Sequence, residues 1–394
     1  MGVWNVCSCG QCAELRKVNS DSVEREKEGL HLTVQEAMFW ESNSNGIICT
    51  LCARRCIIAE GDVGFCRVRK NIKGKLFTAV YGEVSAAYVD PIEKKPLFHF
   101  NPGSYVYSIG TSSCNFRCKF CLNFSLSMNV YVPDQDSLTP ENIVENAQHR
   151  GCQGISYTYN EPTIFFEYAY DTAKLAHKEG LFNTFVTNGY MSVEALEVFA
   201  PYLDAVTVDF KGGGDPKFYK AFCEVSNIEP IFEFLGELKK KKIHIEITNL
   251  VVPHYGDSVD SFRRLTAWIH DNLGPDVPLH LLRFRPECMM NVSSLHSFQE
   301  FDNLRKVAVE EGLYYVYTPY SRNTYCHSCG ELLIERNSFE PTSWNITSKL
   351  GPHNTCPKCG KKTVILGKCL QSKAKPYPPS ARALGYLGYW GFEG

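Results

Sequence analysis

The chain of 394 residues carries 41 basic and 43 acidic residues, a formal charge of -2, with 44% hydrophobic and 13% aromatic content. That is enough apolar material for one large core with small modules attached. The even charge offers no basic face to a phosphate backbone, which argues against a nucleic-acid partner. No apolar run reaches the ~18 residues of a membrane span, and the polar start Met1 to Cys12 lacks a signal-peptide core, so a cytoplasmic chain is expected.

In such a chain the 18 cysteines point to metal ligation or redox chemistry and not to disulfides. Residues 1–46 form a Cys-bearing extension with Cys7, Cys9 and Cys12, and its segment Asn19 to Glu28 is charged and apolar-poor, a linker or a solvated helix. Residues 47–100 hold Cys49, Cys52, Cys56 and Cys66 in a Cys-x2-Cys-x3-Cys-x9-Cys pattern. Four thiols in so short a stretch suffice for zinc, a single iron or a second iron-sulfur cluster.

Residues 101–318 alternate apolar strands with amphipathic helices. Strands are expected at Tyr105 to Ile109, Gly154 to Thr158, Asn183 to Thr187, Ala205 to Phe210, Ile243 to Val251, Leu279 to Phe284 and Tyr314 to Tyr317. Helices are expected at Pro140 to Arg150, Ile164 to Lys178, Val193 to Phe199, in two short pieces across Pro216 to Lys241, at Ser258 to Asn272 and at Ser297 to Glu311. Thr139 before Pro140 is a helix start, since a hydroxyl caps the first amides and proline there loses no bond. Gly151 and Gly180 sit where left-handed C-caps belong. This alternation implies an α/β fold of parallel strands with right-handed crossovers, either doubly wound or a partial barrel. Residues 319–394 hold a zinc-ribbon-like module and a tail. Cys326-x2-Cys329-Gly330 and Cys356-x2-Cys359-Gly360 form two knuckles whose glycines permit the tight turn beneath a tetrathiolate, and Ser372 to Ser380 read as extended.

The chemistry is expected at Cys114-Asn115-Phe116-Arg117-Cys118-Lys119-Phe120-Cys121, directly after the first core strand. Three thiolates in one compact loop can take three corners of a 4Fe-4S cubane and leave the fourth iron open, whereas a closed site takes four. In parallel α/β barrels ligands bind at the C-terminal strand ends. Polar residues fall there repeatedly: Asn160, Glu161 and Pro162 after the second strand, Thr187 and Asn188 after the third, Asp209 and Lys211 after the fourth, Asn249 on the fifth and Arg283 on the sixth.

The Cys-x3-Cys-x2-Cys loop, with an aromatic before its last cysteine, resembles the signature of the radical S-adenosylmethionine superfamily. Tyr159-Asn160-Glu161-Pro162 is similar to that superfamily's Gly-Gly-Glu-Pro element, which binds the amino group of S-adenosylmethionine. Thr187-Asn188-Gly189 and Asp209-Phe210-Lys211 resemble elements of glycyl-radical-enzyme activases. Joined to Ile48 to Asn71, Asp90 to Phe100, Arg283-Phe284-Arg285-Pro286 and Asn323 to Arg336, the set resembles the AmmeMemoRadiSam-system radical enzymes, which are similar to the activases of pyruvate formate-lyase.

The resemblance implies a partial barrel of six β/α units and a 4Fe-4S cluster that cleaves S-adenosylmethionine to a 5'-deoxyadenosyl radical. It also implies a protein or small-molecule substrate handled with partners of the Memo and AMMECR types; the activase-like elements favour hydrogen abstraction from a protein, peptide or partner-presented substrate, with an electron donor such as ferredoxin or flavodoxin. Two alternatives stand beside it: a cobalamin-dependent radical C-methyltransferase acting on a protein, and a non-catalytic metal-bearing adaptor.

Overall fold

The apolar runs at the centre of the chain become strands buried along most of their length, as parallel strands covered on both faces require. The computed structural model describes residues 35–129, 137–290, 292, 296–337 and 345–370. Cys7, Cys9 and Cys12, the Asn19 to Glu28 segment and the Ser372 to Ser380 tail lie outside them.

The main sheet has eight strands: β1 (Ala86–Pro91), β2 (Tyr105–Gly110), β3 (Gly154–Tyr157), β4 (Phe182–Thr187), β5 (Ala205–Lys211), β6 (His244–Val251), β7 (Leu279–Arg283) and β8 (Val316–Tyr317). They are ordered as in the sequence. From β2 to β8 every pairing is parallel, and β1 runs antiparallel along β2. Sequential parallel order with intervening helices is the wiring of a barrel. The edges β1 and β8 do not pair with each other, so this barrel is partial.

Besides the single turn Phe124–Ser127, the helices among the described residues are α1 (Pro140–His149), α2 (Phe166–Lys178), α3 (Val193–Phe199), α4 (Pro216–Phe222), α5 (Glu229–Lys240), α6 (Val259–Leu273) and α7 (Phe298–Glu310). Thr139 caps α1 as expected: its hydroxyl accepts from the Asn142 amide, and the Asn142 side chain closes a reciprocal bond. Gly151 and Gly180 both take positive φ, 68° and 75°. Because β2 to β7 point the same way, the loops after them collect at one rim.

Trp40–Asn43 pairs antiparallel with Gly46–Cys49 in one small sheet, and β1, which precedes residue 101, belongs to the barrel sheet. The Cys49 segment shares a continuous apolar core with the barrel, through Ile47, Leu51, Ile58 and Leu76 among others, whereas the C-terminal ribbon has its own small core around Leu333, Ile334, Ile346 and Ile365.

The opposite rim is closed by a buried polar floor. Glu246, fully buried on β6, accepts from the His99 backbone amide at 2.7 Å, pairs with His244 at 3.1 Å and with His280 at 2.7 Å. Burial opposes ionisation of Glu246, but the two imidazoles outweigh it and hold its carboxyl well below the usual carboxylate range. Arg336 of the ribbon donates to the Phe98 carbonyl at 2.7 Å and so ties the ribbon to this floor. Glu246→Ala strands several buried donors at once and is expected to cost roughly 3 kcal/mol or more, read as a lower urea midpoint with unchanged m-value.

Candidate metal and cofactor site

At Gly110, the last residue of β2, a Cβ would fall 2.6 Å from the Thr158 carbonyl, so glycine lets the chain pass tightly beneath the β3 loop. The backbone then turns through Ser113 at φ 74°. The Ser113 amide donates to the Leu126 carbonyl at 2.8 Å, and its hydroxyl donates to the Cys66 carbonyl at 2.6 Å. Phe116 is buried against Tyr190 and Phe120 against Phe218, with ring centroids 5.2 and 5.6 Å apart. The amides of Arg117 and Lys119 donate to the carbonyls of Cys223 and Phe222 at 3.1 and 2.9 Å. Apolar side chains and amides therefore anchor the loop, while its three cysteines stay free of protein sulfur bridges.

The surroundings of these sulfurs are polar at short range, with Cys118 buried and Cys114 and Cys121 half-buried. The Phe116 amide points at Cys114 Sγ at 3.4 Å, and Cys121 Sγ lies 3.0 Å from the Ser127 hydroxyl. Burial pushes the Cys121 thiol up to about 11. Burial, reinforced by Glu161 and Cys118, pushes Cys114 far above its ordinary value. A hydrogen bond with Cys223, together with burial, does the same for Cys118. Metal ligation supplies the cation that favours the thiolate at such positions.

Two groups of cysteines can be compared directly. In the ribbon, the sulfurs of Cys326, Cys329, Cys356 and Cys359 all lie within 4.8 Å of one another. Two of the pairs are 3.7 and 3.6 Å apart. A tetrahedral ion with metal-sulfur bonds of about 2.3 Å separates its ligands by about 3.8 Å, so this quartet fits a single ion. Among the described residues it is the one set of three or more potential ligands that compact. Cys114, Cys118 and Cys121 form no such compact set, and three thiols in one loop are the ligand number of an open cubane, whose ligands sit on separate irons.

The strand-end residues divide into two kinds. Glu161 is buried and fully engaged: Oε1 accepts from the Thr163 amide and hydroxyl at 3.1 and 2.6 Å and from the Thr187 hydroxyl at 2.7 Å, and Oε2 accepts from the Asn188 amide at 2.8 Å. Burial raises its carboxyl despite these donors. It therefore fixes the loop after β4. Asn160 likewise grips the cysteine loop, accepting from the Thr111 amide at 3.1 Å and donating to the Ser113 carbonyl at 2.9 Å. Pro162 opens the short turn of 3-10 helix leading into α2. Asn249 accepts from the Gly213 amide at 2.9 Å, fixing the turn after β5.

Lys211 and Asp209 are the groups left with ionic character toward the mouth. They pair at 2.6 Å, and Asp209 is anchored further by the Thr248 hydroxyl at 2.5 Å. Burial opposes the charge on Lys211, but Asp209 and then Cys118 outweigh it and hold the ammonium protonated. Arg283 is exposed at the end of β7.

Two residues of this site carry no sequence signal beyond their identity. Asn115 accepts from Asn188 Nδ2 at 2.7 Å, linking the cysteine loop to the β4 loop. Cys223 is fully buried beside Cys118, more than a hundred positions downstream. Only the folded chain shows either contact.

The sequence profile of the Radical SAM superfamily matches residues 108–269. An uncharacterized protein of Methanocaldococcus jannaschii is 41% identical over 342 residues, covering 84% of this chain and 100% of its own length. A second protein of that organism, assigned by name as a glycyl-radical enzyme activating enzyme, is 24% identical over 161 residues, 40% of this chain and 60% of its own. Among solved structures, Streptococcus suis SuiB bound to the precursor peptide SuiA is 13% identical, with a TM-score of 0.42 over 58% of this chain and 51% of that one. No helix among the described residues is long and apolar enough to cross a membrane.

If the ribbon quartet holds one ion, a Cys326→Ser/Cys359→Ser chain is expected to lose one equivalent of tightly bound metal, zinc by ligand type, with a lower melting temperature. Elemental analysis beside the parent protein checks this.

Proposed function

Because the chain belongs to the radical SAM superfamily, we propose that Cys114, Cys118 and Cys121 hold a 4Fe-4S cluster with one iron left for S-adenosylmethionine, and that hydrogen is abstracted from a protein or peptide. The observation that carries this reading is the three-thiol loop of Cys114, Cys118 and Cys121 directly after β2, at the C-terminal rim of the parallel sheet, with the Asp209–Lys211 pair beside it. When bound, the cluster and S-adenosylmethionine supply one-electron cleavage of a sulfonium and with it a carbon radical.

The protein's own contribution is placement. Glu161 holds Thr187 and Asn188, and Asn188 bonds Asn115, so the β4 loop and the cysteine loop are tied together. Asp209 keeps the Lys211 ammonium charged at the mouth, where it offers a counter-charge to the carboxylate of a bound amino acid. Burial of the loop keeps water from the reacting centre, which protects a radical from quenching. The activating-enzyme relative, alignable over 40% of this chain, supports a polypeptide substrate. A ferredoxin or flavodoxin is the fitting source of the electron, and Memo- or AMMECR-type proteins are the fitting partners to present the substrate.

Reconstituted, reduced protein given S-adenosylmethionine is expected to release 5'-deoxyadenosine, and Cys114→Ala to release none. Equal release from both would sink the reading. Lys211→Met is expected to raise the KM for S-adenosylmethionine about tenfold, the effect of losing ~1.4 kcal/mol of charge pairing, with iron content unchanged.

A further inference from the structure

The Cys49, Cys52, Cys56 and Cys66 group borders a small cavity of about 20 Å³, whose wall also includes Arg69 and Asn115. Those last two side chains are each 1% exposed, and each presents a donor with no partner, Arg69 Nε and Asn115 Nδ2. The other ends of both groups are fixed: Arg69 pairs with Glu167 at 3.0 Å and donates to the Met38 carbonyl, and Asn115 Oδ1 accepts from Asn188. Buried donors left unpaired are rare in folded proteins and call for an acceptor in the space they border. The Phe65 amide already points at Cys56 Sγ at 3.5 Å. Amide and guanidinium donors gathered around four sulfurs are the environment of an anionic metal-thiolate centre.

Its nature follows from spacing. The four cysteines line one cavity, yet among the described residues neither they nor any three of them form a set as compact as the ribbon quartet. They are arranged around a space and do not converge on one point. We propose that Cys49, Cys52, Cys56 and Cys66 hold a second iron-sulfur cluster, ligated by protein thiolate at every position, with Arg69 Nε and Asn115 Nδ2 donating to its sulfurs.

A cluster without an open iron binds no substrate and exchanges electrons. Its neighbour is the Cys114 loop. Ser113 donates to the Cys66 carbonyl at 2.6 Å, Arg54 Nε donates to the Asn115 carbonyl at 2.6 Å, and Asn115 Oδ1 lies 3.8 Å from Cys114 Sγ. Asn115 thus touches both sulfur sites. One electron enters the second cluster from a low-potential one-electron carrier protein and one leaves it to the Cys114 cluster, so the second cluster ends as it began. This relay role rests on the function proposed above; the cluster site itself does not.

The test uses the full chain with Cys114, Cys118 and Cys121 all changed to Ala, reconstituted anaerobically with iron and sulfide. About four irons and four sulfides per chain are expected to remain, with a reduced-state electron paramagnetic resonance signal that S-adenosylmethionine leaves unchanged. Retention of zinc alone, or of no iron-sulfide, would overturn the proposal. Should that variant not fold, the parent chain decides: about eight irons falling to about four in Cys52→Ala/Cys66→Ala supports the site, and about four irons in the parent overturns it. A triple variant that keeps its cluster beside a parent that never responds to S-adenosylmethionine would leave this site standing and remove the proposed function.

Discussion

Three cysteines are held in one loop at the rim of the sheet, where burial works against their thiolates, and the neighbouring loops are packed around it. Burial and neighbouring negative groups work against the thiolates of Cys114 and Cys121. The loop is nonetheless anchored on both sides, by Phe116 and Phe120 in apolar pockets and by amides bonded to Phe222 and Cys223. Metal ligation favours the thiolate form at such positions, and three ligands would leave a 4Fe-4S centre chemically open.

The parallel sheet makes the openness useful. Because β2 to β7 run the same way, the cysteine loop, the Glu161 turn, Asn188 and the Asp209–Lys211 pair meet at one rim, while a His–Glu floor closes the other. Engagement is uneven at the mouth. Glu161 and Asn160 spend their hydrogen bonds on the protein and so position the loops, and Lys211 keeps its charge close to the cysteines.

Much of this was legible in the sequence because the informative patterns were local. Apolar runs bounded by helix caps marked β2 to β7, and Cys-x2-Cys-Gly knuckles marked a ribbon whose sulfurs do converge. The expected superfamily and the α/β partial barrel both hold. What escaped was non-local. β1 is half-buried along much of its length and has no strong alternation, so only its pairing with β2 identifies it. The merging of the Cys49 segment into the barrel core, the Asn115 bridge and the approach of Cys223 to Cys118 depend on residues far apart in the chain. The carboxylate of Glu161 shows the same limit: its place at a strand end could be read, but its engagement by Thr163, Thr187 and Asn188 could not.

The central claim is that one iron in the Cys114 loop is left unclaimed by protein sulfur and is bound directly by S-adenosylmethionine. Electron-nuclear double resonance on the reduced protein, with S-adenosylmethionine carrying ¹⁷O in its carboxylate, measures that bond. A strong hyperfine coupling from the labelled oxygen is the predicted result. Its absence at saturating S-adenosylmethionine, with the cluster intact, would contradict the account.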